Sequence, residues 1–529
     1  MMSRMDRRTF LKFTSTGVVM AVAAGCVPGM QAAGNISANA LAPAVALRKS
    51  AGSLASSFEP DVEIILRAGP GSVEIRSGAL TRVWQITGEL VKGDESVLQS
   101  VPDSYLGPTI RVKKGQRVRL HFHNELPEPS IIHWHGLHLP AEMDGHPRTV
   151  VGNGETYVYE FEVRNRAGTY WYHPHPHGRT GPQVYAGMAG LFLISDDEEA
   201  VAGLPEGIYD IQLVIQDRTL NGENQLVYGP GGMMHQMTGF LGKEIWVNGR
   251  PGFSLPVEQR AYRLRLLNGS NARIYKLGWG DGTPLTVIGT DGGLLETPVQ
   301  RPYVMLAPGE RVELWADFGD RSLGSEVVLR SLPYASQGMM GGMMGGNHPA
   351  PDFPVFSVRV EREAQENLTL PRQLSIVDRI PVTDATNADD PRQFVLRMGH
   401  GTGTLNRRTF EMTDVAGDEI VQLGSTEMWE FVNQSGGMGG MALPHPMHIH
   451  GMSFQVLSRQ IDPRMQAGWD TVSEGYVDEG WKDTVLVLPG ERVRLLIRFE
   501  DYTGLFLYHC HNLEHEDMGM MRNYRVDAI

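Results

Sequence analysis

Short runs of alternating hydrophobic and polar residues fill the chain after Phe58, and Gly, Pro and Asn turns divide them. Segments that show this pattern are 110–123, 154–163, 170–173 and 191–195. An alternation with a period of two is typical of half-buried β-strands, whereas almost no long segment has the 3.6-residue period of an amphipathic helix. The pattern therefore predicts an all-β protein.

Two short motifs recur far apart in the sequence. Segment 306–314 (LAPGERVEL) closely matches segment 488–495 (LPGERVRL), and segment 151–158 (VGNGETYV) is a weaker third copy. A second motif, ending near an asparagine, precedes each of them in segments 112–120, 257–268 and 423–433. Repeats at this distance indicate three similar β-domains, because the repeats of a solenoid are much shorter. We place the domains at 59–197, 204–361 and 370–529 and predict a two-sheet Greek-key sandwich for each.

Length and composition agree with this division. A chain of 529 residues is too long for one core and suggests about three domains. Its hydrophobic content of 41% and charged content of 20% are those of a globular protein. The net charge of −14, with no basic stripe to offset it, argues against nucleic-acid binding.

The N-terminal residues 1–58 are predicted to be an export signal followed by a flexible tether. Arg7 and Arg8 precede a short, mildly apolar run at 13–24, which resembles a twin-arginine signal and is too short to span a membrane stably. That route exports folded proteins, so we expect the twin-arginine machinery as a partner and a periplasmic or other extracytoplasmic location. Segment 23–26 also resembles a lipoprotein cleavage box, and lipidation of Cys26 stays open.

The most informative stretch lies near the C-terminus. Cys510 is the only cysteine after the leader, and a histidine stands on each side of it. If 505–511 is a strand, His509 and His511 point to one face and Cys510 to the other. One strand would then serve two sites, back to back. A Cys thiolate with two histidines and a weak axial methionine is the ligand set of a blue-copper centre.

Three further histidine clusters supply partners for both faces. They comprise His133 and His135, then His173 and His175, then His445, His448 and His450. Each His-x-His step puts two imidazoles on one face of a strand, so two from each cluster join His509 and His511, while His445 joins Cys510 and His515. Ten of the 18 histidines lie in the four motifs, and clustered ligand residues indicate metal. A zinc site has no use for eight imidazoles beside a Cys-His-Met set, so the sequence predicts copper. The middle domain carries none of these ten residues, and domains one and three must therefore meet at a shared site.

These motifs, in this order, resemble those of three-domain bacterial multicopper oxidases of the cupredoxin superfamily, over nearly everything after the leader. The resemblance implies three cupredoxin-like domains and four copper ions: one type 1, one type 2 and a type 3 pair. It assigns His445, Cys510, His515 and the axial Met520 to type 1 copper, His133 and His448 to type 2 copper, and His135, His173, His175, His450, His509 and His511 to the type 3 pair. The implied reaction is one-electron oxidation of a donor coupled to four-electron reduction of O2 to water.

Two acidic residues match acidic positions of the family. They are Glu516, beside His515, and Asp144, in segment 143–147 (MDGHP). Because dioxygen reduction consumes protons, the resemblance implies that these carboxyls act as catalytic proton donors. His177 follows the second motif at one more alternate position, but the family uses only the first two histidines there.

The chain contains 26 methionines, several of them packed between glycines. Candidates for binding substrate Cu(I) are Met339, Met340, Met343, Met344, Met438 and Met441, because thioethers are soft ligands that select Cu(I). They are similar to the Met-rich segments of bacterial cuprous oxidases, which implies a role in copper tolerance. Two features depart from that pattern: the Met loop is short, and no Asp accompanies Met438 and Met441. A flexible tether is the competing interpretation of the loop.

Two other functions stay open. The first is a laccase-like oxidase of phenols and aromatic amines, since a type 1 site near the surface accepts electrons from many donors. The second is a copper-free cell-division scaffold, which some exported relatives have become; the ten intact histidine ligands argue against it. We expect O2 and either Cu(I) or a phenolic donor as reaction partners, and a monomer.

Overall fold

The computed structural model describes residues 58–229, 238–335, 350–366, 368–399, 401–434 and 443–528. All of them belong to one compact unit that begins at Leu54 and ends at Ile529. Arg7, Arg8 and Cys26 lie outside the described residues, so the export signal stays a prediction. Among the residues described, no helix combines the length and the apolar character that crossing a membrane requires.

Strands β1 to β9 form the first pair of sheets. Their bounds are β1 Val62–Val73, β2 Thr81–Lys92, β3 Leu98–Gln99, β4 Thr109–Lys113, β5 Arg117–Asn124, β6 Ile132–His135, β7 Thr156–Glu162, β8 Gly168–Pro174 and β9 Gly190–Ser195. The strand orders are β2-β1-β5-β7 and β3-β4-β9-β8-β6. The apolar core lies between these sheets and includes Leu66 and Phe122 from one and Trp134 and Phe192 from the other.

Strands β10 to β21 form the second pair. Their bounds are β10 Asp210–Arg218, β11 Glu244–Val247, β12 Arg250–Pro251, β13 Ser254–Glu258, β14 Ala261–Asn268, β15 Tyr275–Trp279, β16 Leu285–Thr290, β17 Gly293–Arg301, β18 Val304–Leu306, β19 Arg311–Asp317, β20 Glu326–Ser331 and β21 Phe353–Arg362. The orders are β12-β11-β10-β14-β19-β16-β17 and β13-β21-β20-β15-β18. Leu264 and Leu314 of the first sheet pack in one core with Leu277 and Val358 of the second.

Strands β22 to β32 form the third pair. Their bounds are β22 Arg392–Gly399, β23 Thr402–Leu405, β24 Ile420–Gln422, β25 Thr426–Asn433, β26 His445–Ile449, β27 Phe454–Ile461, β28 Trp481–Lys482, β29 Thr484–Val487, β30 Glu491–Arg498, β31 Gly504–Cys510 and β32 Met521–Asp527. The orders are β23-β22-β25-β30-β27-β28 and β24-β32-β31-β26-β29. Their shared core includes Phe394, Trp429, Ile449 and Cys510.

Helices are short and connect the sheets. Among the elements that lie within the described residues, the α-helices are α1 Thr180–Ala186, α2 Asp197–Val201, α3 Gln466–Trp469 and α4 Leu513–Asp517. The 3₁₀ helices are Glu95–Val97, Ala141–Met143, Pro147–Thr149, Gly207–Tyr209, Val382–Asp384, Gly417–Glu419, Pro463–Met465 and Ser473–Gly475. Helices α1 and α4 contact each other beside the histidine motifs.

The three pairs of sheets share one topology. In one sheet of each pair, a parallel pairing joins β1 to β5, β10 to β14, and β22 to β25. In the other sheet, a parallel pairing joins β4 to β9, β13 to β21, and β24 to β32. The predicted all-β fold of three two-sheet sandwiches is confirmed. The domain limits 59–197, 204–361 and 370–529 stay a prediction.

The repeated sequence motifs meet at the same point of each sandwich. The asparagine that ends β5, β14 or β25 is buried. Its side-chain amide donates to a main-chain carbonyl at the start of the repeat 151–158 or 306–314, or one residue before the repeat 488–495. These bonds are Asn124 Nδ2 to Val151 O (2.8 Å), Asn268 Nδ2 to Leu306 O (2.9 Å) and Asn433 Nδ2 to Val487 O (3.1 Å). A buried amide needs such partners, so the asparagine and the turn it binds recur together.

Candidate metal centres

Four strands, β6, β8, β26 and β31, carry most of the histidine motifs, and the described residues of β6, β8 and β26 are buried throughout. Pairing brings the motifs together: His133 lies opposite His173, and His448 lies opposite His509. Because side chains alternate, Trp134 packs into the first core while His133 and His135 point away from it. The same alternation sends Cys510 into the third core, on the opposite face from His509 and His511.

The first centre surrounds the Cys510 thiol. Its Sγ lies 3.5 Å from His445 Nδ1 and 3.6 Å from His515 Nδ1, and all three residues are buried. Met520 is also fully buried, and its carbonyl accepts a hydrogen bond from the Cys510 N–H (3.0 Å). Burial raises the pKa of the Cys510 thiol and lowers the pKa of the His445 imidazole. Two imidazoles, a thiol and a thioether side chain nearby are the donor set that the sequence predicted here.

Gly403 leaves the space that the Met520 side chain fills. A Cβ at position 403 would lie 2.5 Å from Met520 Cβ and 3.1 Å from Met520 Cγ. We therefore expect Gly403→Ala to displace Met520 and to lower the free energy of unfolding by about 1–3 kcal/mol, as other overpacked cores do. Since an axial ligand tunes a blue-copper site, the absorption and the reduction potential of the Cys510 centre will shift in the copper-loaded variant. Gly399→Ala is the control, because its Cβ meets only Thr402 O, at 3.8 Å; equal spectra for the two variants would contradict this role of Gly403.

The second centre contains the eight remaining histidines, which form three groups. In the first group, His133 Nε2 and His448 Nε2 lie 3.2 Å apart. Their other nitrogens are occupied: His133 Nδ1 donates to Asp144 O (2.7 Å), and His448 Nδ1 donates to Asp483 O (2.8 Å). These bonds fix the tautomers and leave both Nε2 lone pairs directed at one point.

The second group contains His175, His450 and His509. His509 Nε2 lies 3.3 Å from His175 Nε2 and 3.0 Å from His450 Nε2. One nitrogen from each of the three residues lies within 4.8 Å of those of the other two. Three buried imidazole nitrogens at this spacing can bind one metal ion.

The third group contains His135, His173 and His511, whose rings contact one another. The ring centroid of His511 lies 4.9 Å from that of His135 and 5.3 Å from that of His173. Within the described part of the chain, His135 Nδ1, His173 Nε2 and both nitrogens of His511 are buried without a hydrogen-bond partner. Unpaired polar atoms are costly inside a protein, so four of them in three adjacent rings fit a bound cation.

Burial also prepares these imidazoles for metal. It is the largest cause that holds the pKa of every histidine in the three groups below its ordinary value. A neutral imidazole keeps the lone pair that a metal needs. The donor set of the second centre, eight neutral imidazoles, thus fits a cluster of copper ions.

Both predicted acids touch the second centre. Asp144 Oδ2 accepts a hydrogen bond from His450 Nδ1 (2.7 Å), and burial raises the pKa of Asp144 to about 8. Glu516 Oε1 accepts from Thr180 Oγ1 (2.6 Å), and its Oε2 lies 3.3 Å from His509 Nδ1. Burial, followed by the charge of Asp517, raises the pKa of Glu516 well above its ordinary value. Both carboxyls are therefore placed to hold a proton beside the histidines.

Sequence reasoning missed Asp483 and Arg311. Asp483 Oδ1 lies 3.1 Å from His135 Nε2 and accepts a hydrogen bond from Arg311 Nη1 (2.8 Å). Burial alone would raise the pKa of Asp483. The charge and hydrogen bonds of Arg311, followed by contributions from His448 and Thr484, outweigh it and keep the pKa below its ordinary value. The available signal was the arginine inside the repeated GER motif, which belongs to the middle sandwich.

The other predicted residues lie elsewhere. His177 contacts the Phe410 ring at a centroid distance of 4.8 Å and belongs to none of the three groups. Met339, Met340, Met343, Met344, Met438 and Met441 lie outside the described residues. An apolar cleft opens beside the first centre, where Pro444 precedes His445, and its lining includes Met305, Tyr334 and Trp469.

Comparison with known proteins identifies relatives of this chain. A family model described as multicopper oxidase matches residues 84–199, and a second with the same description matches residues 382–528. A laccase from Bacillus stratosphericus is 32% identical over 469 residues, covering 79% of this chain and 88% of the relative.

Two solved structures extend the comparison. The McoA multicopper oxidase of Aquifex aeolicus has a TM-score of 0.74 and 36% identity, covering 89% of this chain and 97% of the other. A multicopper oxidase from Campylobacter jejuni, described as a metallo-oxidase, has a TM-score of 0.70 and 27% identity, covering 88% and 91%.

Proposed function

Because this chain belongs to the multicopper oxidase family and is an oxidoreductase, we propose that it couples one-electron oxidation of a donor at the Cys510 centre to four-electron reduction of dioxygen to water at the histidine centre. Four donors each lose one electron, and one O2 takes four electrons and four protons to give two waters. Four copper ions would supply the redox chemistry: one held by Cys510, His445, His515 and Met520, and three held by the three groups of histidines.

The geometry of β31 is the observation that carries this proposal. Cys510 faces one centre, while its neighbours in sequence, His509 and His511, face the other. An electron that enters at the thiolate therefore has two short covalent paths to imidazoles of the second centre. A protein that only stores copper has no need of such a connection.

Protons are the other requirement, and we assign them to the two buried acids. Glu516 lies beside His175 and His509, at 3.5 Å and 3.3 Å from their nearest ring nitrogens, and Thr180 orients its carboxyl group. Asp144 holds the Nδ1–H of His450 and so orients that imidazole as well as carrying a proton. Both have a raised pKa, as a proton donor that works near neutral pH requires.

We propose Cu(I) as the donor, which would make the protein a cuprous oxidase in copper tolerance. Support comes from the Gly/Met segment 338–346, whose thioethers favour Cu(I), and from the likeness to the Campylobacter protein described as a metallo-oxidase. The second candidate donor is a phenol or aromatic amine. The apolar cleft beside His445 favours it, because Trp469, stacked on Tyr476 at 5.2 Å, offers a flat apolar surface to a ring.

Aerobic turnover of Cu(I) and of 2,6-dimethoxyphenol by two reciprocal variants tests the donor. Replacing Met339, Met340, Met343 and Met344 together by serine should lower kcat/KM for Cu(I) at least about tenfold, or ~1.4 kcal/mol, and leave phenol oxidation intact. Trp469→Ala should lower kcat/KM for 2,6-dimethoxyphenol and leave Cu(I) oxidation intact. If the serine variant oxidises Cu(I) as wild type does and phenol turnover is fast without added copper, the protein is a laccase and the Met segment is a tether.

The proposed cellular location is outside the cytoplasm. Arg7 and Arg8 support export by the twin-arginine route to the periplasm or another extracytoplasmic space. Cys26 is the residue that would carry a lipid anchor there. The protein would act there as a monomer with O2 and its donor as the reaction partners.

A further inference from the structure

Arg311 links the middle sandwich to the histidine centre. It lies at the start of β19, is 1% exposed, and directs both terminal nitrogens at the Asp483 carboxylate. Its other hydrogen bonds go from Nε to Thr169 O, from Nη1 to Gly309 O and from Nη2 to Asp291 O, each at 2.9 Å. With all three guanidinium nitrogens engaged in this way, the side chain has one fixed position.

Asp483, which Arg311 holds in place, contacts two histidines. Both of its carboxylate oxygens accept from Arg311, and Oδ1 also lies 3.1 Å from His135 Nε2. His135 therefore donates through Nε2 and keeps its lone pair on Nδ1, the buried atom without a partner in the described part of the chain. His448 has the opposite tautomer, because its Nδ1 donates to the Asp483 main-chain carbonyl (2.8 Å) and its lone pair therefore lies on Nε2.

We propose that Arg311 is a positioning residue for the histidine centre: by fixing Asp483, it makes His135 present Nδ1, and His448 present Nε2, to metal. The inference rests on the proposed function, because it presumes that the centre binds copper. It assigns the middle sandwich, which supplies none of the twelve predicted ligands, a direct part in loading the site.

Two glycines show how closely the middle sandwich approaches the centre. Gly136 has a φ of +86°, and a Cβ there would lie 2.3 Å from Asp483 Oδ2 and 2.8 Å from Arg311 Nη2. Gly309 also has a φ of +86°, and its Cβ would lie 3.0 Å from His511 Cδ2 and 3.1 Å from His135 Cε1. The turn of the middle repeat thus packs directly on two imidazoles, with no room for a side chain between them.

A merely structural role of Arg311, as a buried ion pair between sandwiches, is the alternative. Arg263 provides a matched control for it. This arginine is also in the middle sandwich, is 2% exposed, and donates from Nε to Glu313 Oε2 (2.7 Å) with a second ion pair to Glu199. No histidine is among these partners, so loss of the Arg263 side chain should lower the stability of the protein without affecting copper binding.

The test compares Arg311→Gln, Arg311→Lys and Arg263→Gln in the full-length copper-loaded protein. Loss of an outer partner of a metal-binding histidine weakens metal affinity about 10- to 100-fold. We expect Arg311→Gln to show that loss in copper titration of the histidine centre, with a changed type 2 electron paramagnetic resonance signal and an unchanged blue absorption of the Cys510 centre. Arg311→Lys should recover part of the affinity, and Arg263→Gln should match wild type in all three measurements.

The opposite result is equally specific. If Arg311→Gln binds copper and gives the same resonance signal as Arg263→Gln, Arg311 is structural and the inference is wrong. If Arg311→Gln does not fold, Asp483→Asn, which has nearly the same volume, takes its place and should show the same selective loss; wild-type copper binding by Asp483→Asn would overturn the inference. Failure of the proposed function is a separate result, because wild type itself would then bind no copper at the histidine centre.

Discussion

Cys510→Ser will abolish oxidation of any donor, with a loss of at least about 10³-fold in kcat, or ~4 kcal/mol. Cys510 connects the two centres. Its thiol is a predicted ligand on one face of β31, and its main chain is bonded to His509 and His511, whose side chains lie on the other face. Serine keeps the size of the side chain, but its hydroxyl is a poor ligand for a soft copper site. The blue absorption should disappear, while copper bound to the eight histidines remains.

Tyr508→Phe is the matched control on the same strand. Its hydroxyl donates to Glu419 Oε1 (2.9 Å), which is not one of the predicted ligands, so its removal leaves the covalent path intact. Absorption spectra, copper content and turnover of both variants decide the result. A Cys510→Ser protein that still oxidised its donor within tenfold of the wild-type rate would exclude β31 as the electron path.

Glu516→Gln will slow dioxygen reduction by about 10²-fold or more, the usual contribution of a positioned general acid. The amide keeps the shape of the carboxyl and can still accept from Thr180 Oγ1, but it carries no proton to deliver. Reduction of the Cys510 centre under anaerobic conditions should keep its wild-type rate, and the blue absorption should be unchanged. Stopped-flow reoxidation of the reduced enzyme by O2 isolates the affected step.

Asp144→Asn is the second arm of this experiment, and we expect it to slow the same step by a smaller factor. The amide oxygen can still accept from His450 Nδ1, so the orientation of that imidazole survives while the proton is lost. Unchanged turnover in both variants would show that neither acid delivers protons.

The fold and most of the candidate site could be predicted because their determinants are local. Strand alternation follows from neighbouring residues, and a His-x-His step fixes the common face of two imidazoles wherever it lies in a strand. The repeated asparagine and GER motifs predicted three related sandwiches, and the same asparagine contact recurs in each of them.

The Arg311–Asp483 pair could not be predicted in the same way. These residues are 172 positions apart and belong to different sandwiches, so their contact arises only when the sandwiches pack. Arg311 also stands in a motif whose copy in the third sandwich has a surface role: Arg492 at the equivalent position pairs with Glu430 and is 47% exposed. The sequence alone gives no reason for one arginine of the repeat to be buried at the histidine centre.

Electron counting tests the central claim most directly. The copper-loaded enzyme is supplied with a limiting amount of a one-electron donor, and O2 uptake and hydrogen peroxide are measured together. Two coupled copper centres predict four donor molecules oxidised per O2 consumed and no peroxide released. Two donors per O2 with stoichiometric peroxide would contradict the account, because the histidine centre would then not complete the reduction to water.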